Sequence, residues 1–270
     1  MKCTILVDNN PGQSNELIAE HGLAIWVEIN GLQLLIDTGA SDAFAQNAAH
    51  LGIDISKVDY LILSHAHNDH CGGLEFFLSI NKKARIYLSA NIMDNRYYST
   101  RRETKRDISI DHSLIKEHSN RVTFIHNDLA LNKDITIITK FSTNHPNPQA
   151  NKTLLKNNIS DDFNHELAIV IKSSKGSIII SPCSHNGILN TLESCSHIGC
   201  ITHYIGGTHL VDDFEGENEL CTLASNIKNS YPSLTLISGH CTGIGAKTTF
   251  SKTLTNKFIE FYTGFSLIID

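Results

Sequence analysis

The chain has 270 residues, of which 41% are hydrophobic and 19% are charged, and this composition is typical of a soluble globular protein with a sizeable core. Its formal net charge is -6, from 22 Lys and Arg against 28 Asp and Glu, which argues against a partner made of nucleic acid. No apolar run is long enough for a signal peptide or a membrane span, and seven scattered cysteines, an odd number, favour a reducing compartment. We therefore expect a cytoplasmic protein with a small-molecule substrate and no membrane contact. The sequence does not indicate an oligomeric state.

The apolar pattern predicts strands that alternate with helices along the chain. In chain order, strands are predicted at residues 3–8, 22–29, 32–37, 58–64, 84–90, 121–126, 134–141, 200–207 and 234–239, and a hairpin at 165–181. Asn30-Gly31 is the signal of a tight turn between the second and third strands. A helix is predicted after the third strand, with Ser41 or Asp42 as its N-cap and Gly52 at its end. No repeat or Pro/Gly-rich linker interrupts this pattern, so a single domain of residues 1–270 with two sheet-building halves is predicted.

Four apolar runs each end in a small residue, and a histidine follows shortly after. These histidines are His65, His185, His209 and His240. In layered α/β folds, ligands gather where strand ends meet loops at one edge of a sheet. The pattern therefore predicts that four imidazoles from distant parts of the chain gather around one point, as the ligands of a metal site do.

The densest motif is the stretch SHAHNDH at residues 64–70. His65 and His67 are two apart at a strand exit, so both side chains can point to one side and chelate a cation. Asp69 and His70 follow where a neighbouring cation would lie. Imidazole together with a carboxylate is compatible with zinc, iron or manganese. The motif therefore predicts a metal site at the end of this strand.

This motif resembles the His-x-His-x-Asp-His signature of the metallo-β-lactamase superfamily, and Asp37-Thr38-Gly39 resembles the loop with that superfamily's structural aspartate. Further segments, including PCSHNGILN, GGTHL and SGHCTG, resemble a branch of metal-dependent hydrolases related to the dihydropterin–ribofuranosylaminobenzene-phosphate synthases of methanogens. The resemblance extends over nearly the whole chain. It implies an α/β fold, an αββα sandwich of two mixed sheets with helices on the outer faces.

The resemblance also implies the ligands of two divalent metal ions, with zinc expected and iron or manganese as alternatives. The first ion would be bound by His65, His67 and His185, and the second by Asp69, His70 and His240. The sequence departs from the commoner pattern because it lacks an obvious bridging aspartate after the third histidine. Either His209 or Cys183 takes that place, or His209 contacts the substrate.

The leading functional hypothesis is a metal-dependent hydrolase. Two cations that share a water lower its pKa to near 7, and the resulting hydroxide would attack an ester, lactone or phosphoester. Asp69 and His209 are the predicted catalytic residues. Two alternatives stay open: a pterin-related transferase similar to the synthases, and a non-hydrolytic di-metal redox or sensor protein.

Two features outside the motif also bear on function. The basic segment at residues 96–106 is interpreted either as a solvated helix face or as a lid, in which Arg101 and Arg102 bind an anionic substrate. Glu166 is interpreted either as a hydrogen-bonding partner of a metal-bound histidine or as a charge at a strand edge.

Overall fold

The structure is a computed structural model that describes residues 1–102 and 104–270. Within these residues the strands are β1 (Lys2–Val7), β2 (Ala24–Ile29), β3 (Leu32–Ile36), β4 (Tyr60–Ile62), β5 (Arg85–Ser89), β6 (Tyr97–Ser99), β7 (Arg106–Asp107), β8 (Val122–Ile125), β9 (Leu129–Ala130), β10 (Ile135–Ile138), β11 (Leu154–Lys156), β12 (Ile159–Ser160), β13 (Ala168–Ser173), β14 (Gly176–Ile180), β15 (Ile201–Ile205), β16 (Thr235–Ser238), β17 (Phe258–Glu260) and β18 (Ser266–Ile268). The α-helices are α1 (Ala43–His50), α2 (Asn68–Cys71), α3 (Leu74–Ile80), α4 (His112–Glu117), α5 (Ile188–Cys195), α6 (Glu217–Ser230) and α7 (Ile244–Leu254).

The chain divides into two compact units. The first unit comprises Met1–His126, Leu155–Ile159 and Phe261–Asp270, and the second comprises Asn127–Leu154 and Ser160–Glu260. The prediction that these residues act as a single domain stays a prediction.

The first unit contains a seven-stranded mixed sheet with the strand order β18-β1-β2-β3-β4-β5-β8. The strands β18, β1, β2 and β3 pair antiparallel, and β3, β4, β5 and β8 pair parallel. The predicted hairpin between β2 and β3 is confirmed: Asn30 and Gly31 have φ values of 50° and 79°, the left-handed conformations that such a tight turn requires. Parallel pairing places the carboxyl ends of β3 and β4 side by side.

The predicted helix after the third strand is α1, and its ends agree with the sequence signals. Asp42 is the N-cap residue, and Gly52, with φ of 71°, follows the C-cap residue Leu51. The helix buries Phe44 and Ala48 in an apolar core that also contains Trp26 and Leu61. The first unit therefore has its own hydrophobic core beside the sheet.

The second unit contains another seven-stranded mixed sheet, with the order β17-β16-β15-β14-β13-β10-β9. The predicted hairpin at residues 165–181 is confirmed as the antiparallel pair β13 and β14, and β14, β15, β16 and β17 then pair parallel. The apolar faces of α5, α6 and α7 pack in a second core with β14 and β16. The carboxyl ends of three neighbouring parallel strands, β14, β15 and β16, therefore lie at one edge of this sheet.

The helical interpretation of the basic segment at residues 96–106 is wrong. In the described part of the segment, which leaves out Glu103, β6 and β7 pair antiparallel with Ser99 opposite Arg106. Burial alternates along β6, which contains Tyr97, because successive side chains of a strand point to opposite faces. Arg101 and Arg102 lie in the connection between the two strands, and both are exposed.

The fold class predicted from the sequence is confirmed as a mixed α/β fold with mixed sheets and helices. All seven cysteines lie in the described part of the chain and all are reduced thiols. Among the described helices, none has both the length and the apolar character that crossing a bilayer requires.

Candidate metal centre

The first unit brings four predicted ligands together at the end of β4. His65 and His70 are fully buried, and His67 is the residue that precedes α2. The ring of His65 lies 4.6 Å from that of His67 and 4.2 Å from that of His70, measured between ring centroids. The side chain of Asp69 is 19% exposed, and its Oδ2 lies 3.7 Å from Nε2 of His70. Three imidazoles and one carboxylate thus share one turn.

Asp37 fixes the orientation of this turn from the end of β3. Its buried carboxylate accepts hydrogen bonds from the Ser64 amide at 2.7 Å, from the Ser64 hydroxyl at 2.6 Å and from Nδ1 of His70 at 2.7 Å. Because the single hydroxyl hydrogen of Ser64 is donated to Asp37, Ser64 Oγ accepts a hydrogen bond from Nδ1–H of His65, which lies 2.8 Å away. Both histidines therefore carry their hydrogen on Nδ1, and Nε2 is the nitrogen that can bind a cation. The structural role that the resemblance implies for Asp37 is confirmed.

Two glycines allow this turn to pack against the Asp37 loop. A Cβ atom on Gly73 would lie 2.4 Å from the carbonyl oxygens of Thr38 and Ser41, and one on Gly72 would lie 2.4 Å from that of Ala40. The Thr38 amide also donates a 2.7 Å hydrogen bond to the carbonyl of His70. Since any larger residue would push the two loops apart, Gly72-Gly73 is part of what positions the histidines.

The second unit collects its donors from the ends of β14, β15 and β16. His185 and His209 are both buried, and their ring centroids lie 4.1 Å apart. The turns are tight, because Ser184, His209 and His240 all have left-handed backbones with φ between 50° and 53°. Non-glycine residues adopt this conformation at a cost of about 1–3 kcal/mol and do so most often at functional sites. Three adjacent strand ends thus place imidazoles at one sheet edge.

His185 is held by a polar and aromatic environment within the second unit. Asn151 Oδ1 lies 3.2 Å from Nδ1 of His185, while Asn151 Nδ2 donates to the His185 carbonyl at 2.7 Å. The ring of Phe163 stacks on the imidazole, with centroids 4.5 Å apart and an angle of 8° between the planes. Because Nδ1 faces an amide oxygen, it carries the proton, and Nε2 is the nitrogen that can bind a cation.

Glu166 positions the backbone of the same turn. Its carboxylate accepts hydrogen bonds from the amides of His185 at 2.7 Å and Asn186 at 2.9 Å, and from the Asn186 side chain at 2.8 Å. Burial raises the pKa of Glu166, and the hydrogen bonds from the backbone and side chain of Asn186 oppose this shift. Of the two interpretations made from the sequence, the strand-edge charge is wrong, because the side chain is buried and supports the His185 turn.

Sequence reasoning missed several residues near these donors. Cys241 directly follows His240, and its sulfur lies 3.6 Å from that of Cys183. The neighbouring pair His165 and Asp161 is fully buried, with 3.1 Å between Nε2 and Oδ2. The juxtaposition of cysteine and histidine in SGHC at 238–241 is a signal that could have identified Cys241, whereas the aspartate–histidine pair has no such signal.

Arg101 and Arg102 lie in the β6–β7 connection of the first unit and are not part of the donor cluster at the end of β4.

Comparison with known proteins identifies the class of this chain. Residues 18–136 match the family model of the metallo-beta-lactamase superfamily. The crystal structure of Tm1679, described as a metal-dependent hydrolase of the beta-lactamase superfamily, superposes with a TM-score of 0.83 and 25% identity, covering 100% of this chain and 99% of that one. Residues 18–136 are therefore similar to that superfamily, and the chain has its fold.

Two proteins of Methanocaldococcus jannaschii are similar along nearly the whole chain. One is 7,8-dihydropterin-6-methyl-4-(beta-D-ribofuranosyl)-aminobenzene-5'-phosphate synthase, with 26% identity over 98% of this chain and 95% of that protein. The other is an uncharacterised protein with 28% identity over 96% of this chain and 97% of that protein. The fold implies binding of divalent metal, and the imidazole and carboxylate donors at the strand ends have the chemistry that such an ion requires.

Proposed function

We propose that this chain is a metal-dependent hydrolase that acts on an ester, a lactone or a phosphoester. The observation that carries the proposal is the cluster of His65, His67, Asp69 and His70, in which Asp37 and Ser64 fix the protonation and orientation of two imidazoles. Such fixed rings with Nε2 directed away from their hydrogen-bonding partners are what a metal site in a hydrolase requires. The proposal keeps the two ligand sets that the resemblance implies, with zinc as the expected ion and iron or manganese as alternatives.

The bound ions would supply a hydroxide nucleophile at neutral pH and would polarise the bond that is attacked. The chain's own residues would hold the ions and orient the nucleophile. His65 and His70 are buried and held rigidly, whereas the partly exposed carboxylate of Asp69 can accept a hydrogen bond from the incoming nucleophile. His209, buried at the end of β15, is the residue proposed to bind the substrate or to take the place of the missing bridging carboxylate.

We also propose that the β6–β7 hairpin favours anionic substrates. Arg101 and Arg102 are adjacent and exposed, and Lys105 precedes β7, with its ammonium 3.8 Å from the centroid of the Tyr98 ring. A guanidinium is well suited to bind a phosphate or a carboxylate through paired hydrogen bonds. This part of the proposal deals with substrate choice and is independent of the metal ligands.

A pterin-related transfer reaction is the second candidate. The observation that favours it is the similarity to the M. jannaschii synthase over 98% of this chain. The name of that protein gives a product in which a dihydropterin methyl group is joined to a ribofuranosylaminobenzene phosphate. Incubating the chain with an activated hydroxymethyl-dihydropterin and ribofuranosylaminobenzene phosphate, and analysing the products by mass spectrometry, distinguishes this candidate from a hydrolase.

The decisive experiment combines metal analysis with a substrate panel. Protein purified without chelator should contain close to two transition-metal ions per chain and hydrolyse at least one ester, lactone or phosphodiester. Removal of the metal with dipicolinate should abolish turnover, and adding zinc or manganese should restore it. Full activity after exhaustive metal removal would refute the proposal, and a metal-loaded protein inactive on the whole panel would favour the redox or sensor alternative.

A further inference from the structure

Two cysteines lie against each other beside the metal-ligand histidines of the second unit. Cys183 follows β14 and Cys241 follows β16, and their sulfur atoms are 3.6 Å apart. His240 directly precedes Cys241, and the ligand atoms of these three residues all lie within 4.8 Å of one another. The proposed function assigns a role to His240 and leaves the two thiols without one.

We propose that Cys183, Cys241 and His240 form a site for a thiophilic divalent cation, with zinc as its natural occupant. Two sulfurs at the usual distance of about 2.3 Å from a tetrahedral zinc lie about 3.8 Å apart, close to the separation of the two thiols in this chain. Two sulfurs and one imidazole supply three of the four ligands that a tetrahedral zinc site requires. The three residues thus have both the chemistry and the spacing of a zinc site.

The backbone around the two sulfurs is shaped to hold them. The His209 amide donates a hydrogen bond of 3.3 Å to the sulfur of Cys241, and such bonds stabilise the negative charge of a metal-bound thiolate. A Cβ atom on Gly207 would lie 2.4 Å from the same sulfur and 2.7 Å from the carbonyl oxygen of Pro182. Glycine at this position therefore makes room for Cys241, and the sulfur is held by two neighbouring turns.

The inference rests on the proposed function in one respect, because His240 is a ligand in both. It adds that one ion of the proposed hydrolase is bound partly by sulfur. Thiolate ligands favour zinc and other soft cations over manganese and magnesium, which prefer oxygen. The second unit would therefore select zinc, whereas an all-imidazole and carboxylate set would accept several ions.

The test uses the full-length apoprotein with reduced thiols, and cadmium as a probe. Adding Cd²⁺ should produce the ultraviolet charge-transfer absorption of cadmium thiolate, which reaches a plateau at a fixed ratio of metal to protein. In the same samples, Cd²⁺ should protect Cys183 and Cys241 from iodoacetamide, as located by peptide mass spectrometry. The exposed thiols of Cys200 and Cys221 are internal controls and should react with and without cadmium.

Variants sharpen the result. Cys183→Ser and Cys241→Ser should each lower the affinity for Cd²⁺ by more than about tenfold. A loss of about tenfold is expected when a residue that hydrogen-bonds to a metal ligand is changed, and the loss of a ligand itself should be larger. Cys221→Ser, on the exposed side of α6, should leave the absorption unchanged. If either site variant fails to fold, the alkylation of the unmodified chain still decides: equal labelling of both cysteines with and without Cd²⁺ overturns the proposal.

One further variant separates this inference from the proposed hydrolase. His65→Ala, in the first unit, should abolish hydrolysis and keep the cadmium thiolate absorption. If the wild-type chain shows the absorption but hydrolyses no substrate of the panel, the thiolate site is supported and the proposed function is refuted. Metal-dependent hydrolysis by a chain that shows no such absorption would support the proposed function and refute the thiolate site.

Discussion

The two units of this chain present their candidate ligands in different ways. In the first unit, His65, His67, Asp69 and His70 come from one turn of six residues, and Asp37 supports that turn through the buried His70 ring and through Ser64. In the second unit, the donors come from three turns at the ends of neighbouring parallel strands, each with a left-handed residue. The first arrangement is built by local sequence and the second by the order of strands in a sheet.

This difference has a physical consequence for how each set of ligands is kept in place. A single turn holds its side chains through a few short hydrogen bonds, so the loss of one ligand or of Asp37 should affect the whole cluster. Each turn of the second unit instead follows a different strand of the sheet, and the His185 turn is further held by Glu166 and Asn151, so the loss of one imidazole should leave the backbone of the other turns in place. The comparison can be tested by substitutions in matched positions of the two units.

The largest effect is expected for the first-unit histidines. His65→Ala and His67→Ala should each release metal and lower kcat/KM by on the order of 10³-fold or more, since a lost metal ion removes several kcal/mol of transition-state stabilisation. Metal content measured by inductively coupled plasma mass spectrometry and hydrolysis of the best panel substrate check this. Asn68→Ala, in the same turn, is the control and should keep its metal.

His209→Ala makes the corresponding change in the second unit. Its effect on metal content should be smaller than that of His65→Ala, because His185 and His240 follow other strands and His185 is also held by Glu166 and Asn151. If His209→Ala empties the protein of metal while His65→Ala leaves it loaded, the contrast drawn between the two units is wrong.

Several features were predictable from the sequence because the signal for each is local. The motif at 64–70 and the Asn30-Gly31 turn both depend on neighbouring residues, and both are where the pattern places them. Strands of two or three residues, such as β7 and β18, were missed because so short a segment cannot show an alternating pattern. The partnership of Cys183 with Cys241, 58 residues apart, depends on which strands are neighbours, and no local pattern encodes that order.

The next effect is expected for the carboxylates that support the ligands. Asp37→Asn should weaken metal binding by about 10–100-fold, because the amide cannot accept all three hydrogen bonds and places its NH₂ group against a donor. Glu166→Gln should instead lower the free energy of unfolding by about 1–3 kcal/mol, because it faces only N–H donors of the His185 turn. Metal-buffer titrations and urea unfolding of both variants measure the two quantities. Asp37→Asn with the metal affinity of the wild type would contradict this prediction.

A smaller effect is expected for the basic hairpin of the first unit. Arg101→Ala or Arg102→Ala should raise KM for an anionic substrate by about tenfold, the weaker end of a charge-assisted hydrogen bond, because both side chains are exposed. KM for a neutral substrate and the metal content should not change. Arg85→Ala, an exposed arginine on β5, is the matched control. If neither Arg101→Ala nor Arg102→Ala changes KM for the anionic substrate from the wild-type value, the hairpin has no role in substrate choice.

The smallest effect concerns a cavity of about 360 Å³ in the second unit, lined by Gly187, Thr208 and Glu215 among others. Burial, reinforced by the neighbouring carboxylate of Glu219, raises the pKa of Glu215 above its usual value of 4.5. The folded protein thus binds this proton more tightly than the unfolded chain does. The free energy of unfolding therefore falls as the pH rises from 4.5 through the raised pKa, and it does not fall further above that pKa on account of Glu215. Glu215→Gln keeps an oxygen that can accept the 2.6 Å hydrogen bond from the Gln149 amide and removes the titration.

The stability of Glu215→Gln relative to the wild type should therefore increase over this pH range. Asp54 in the first unit provides a control of opposite sign, because its hydrogen bond with the Ser56 side chain lowers its pKa below 3.8. The stability that Asp54 contributes is present above this value and is lost as the pH falls, so Asp54→Asn should differ from the wild type most at neutral pH. Urea unfolding at a series of pH values measures both differences. Parallel curves for Glu215→Gln and the wild type would show that the Glu215 carboxyl titrates alike in the folded and unfolded chain, and that the cavity does not shield it from water.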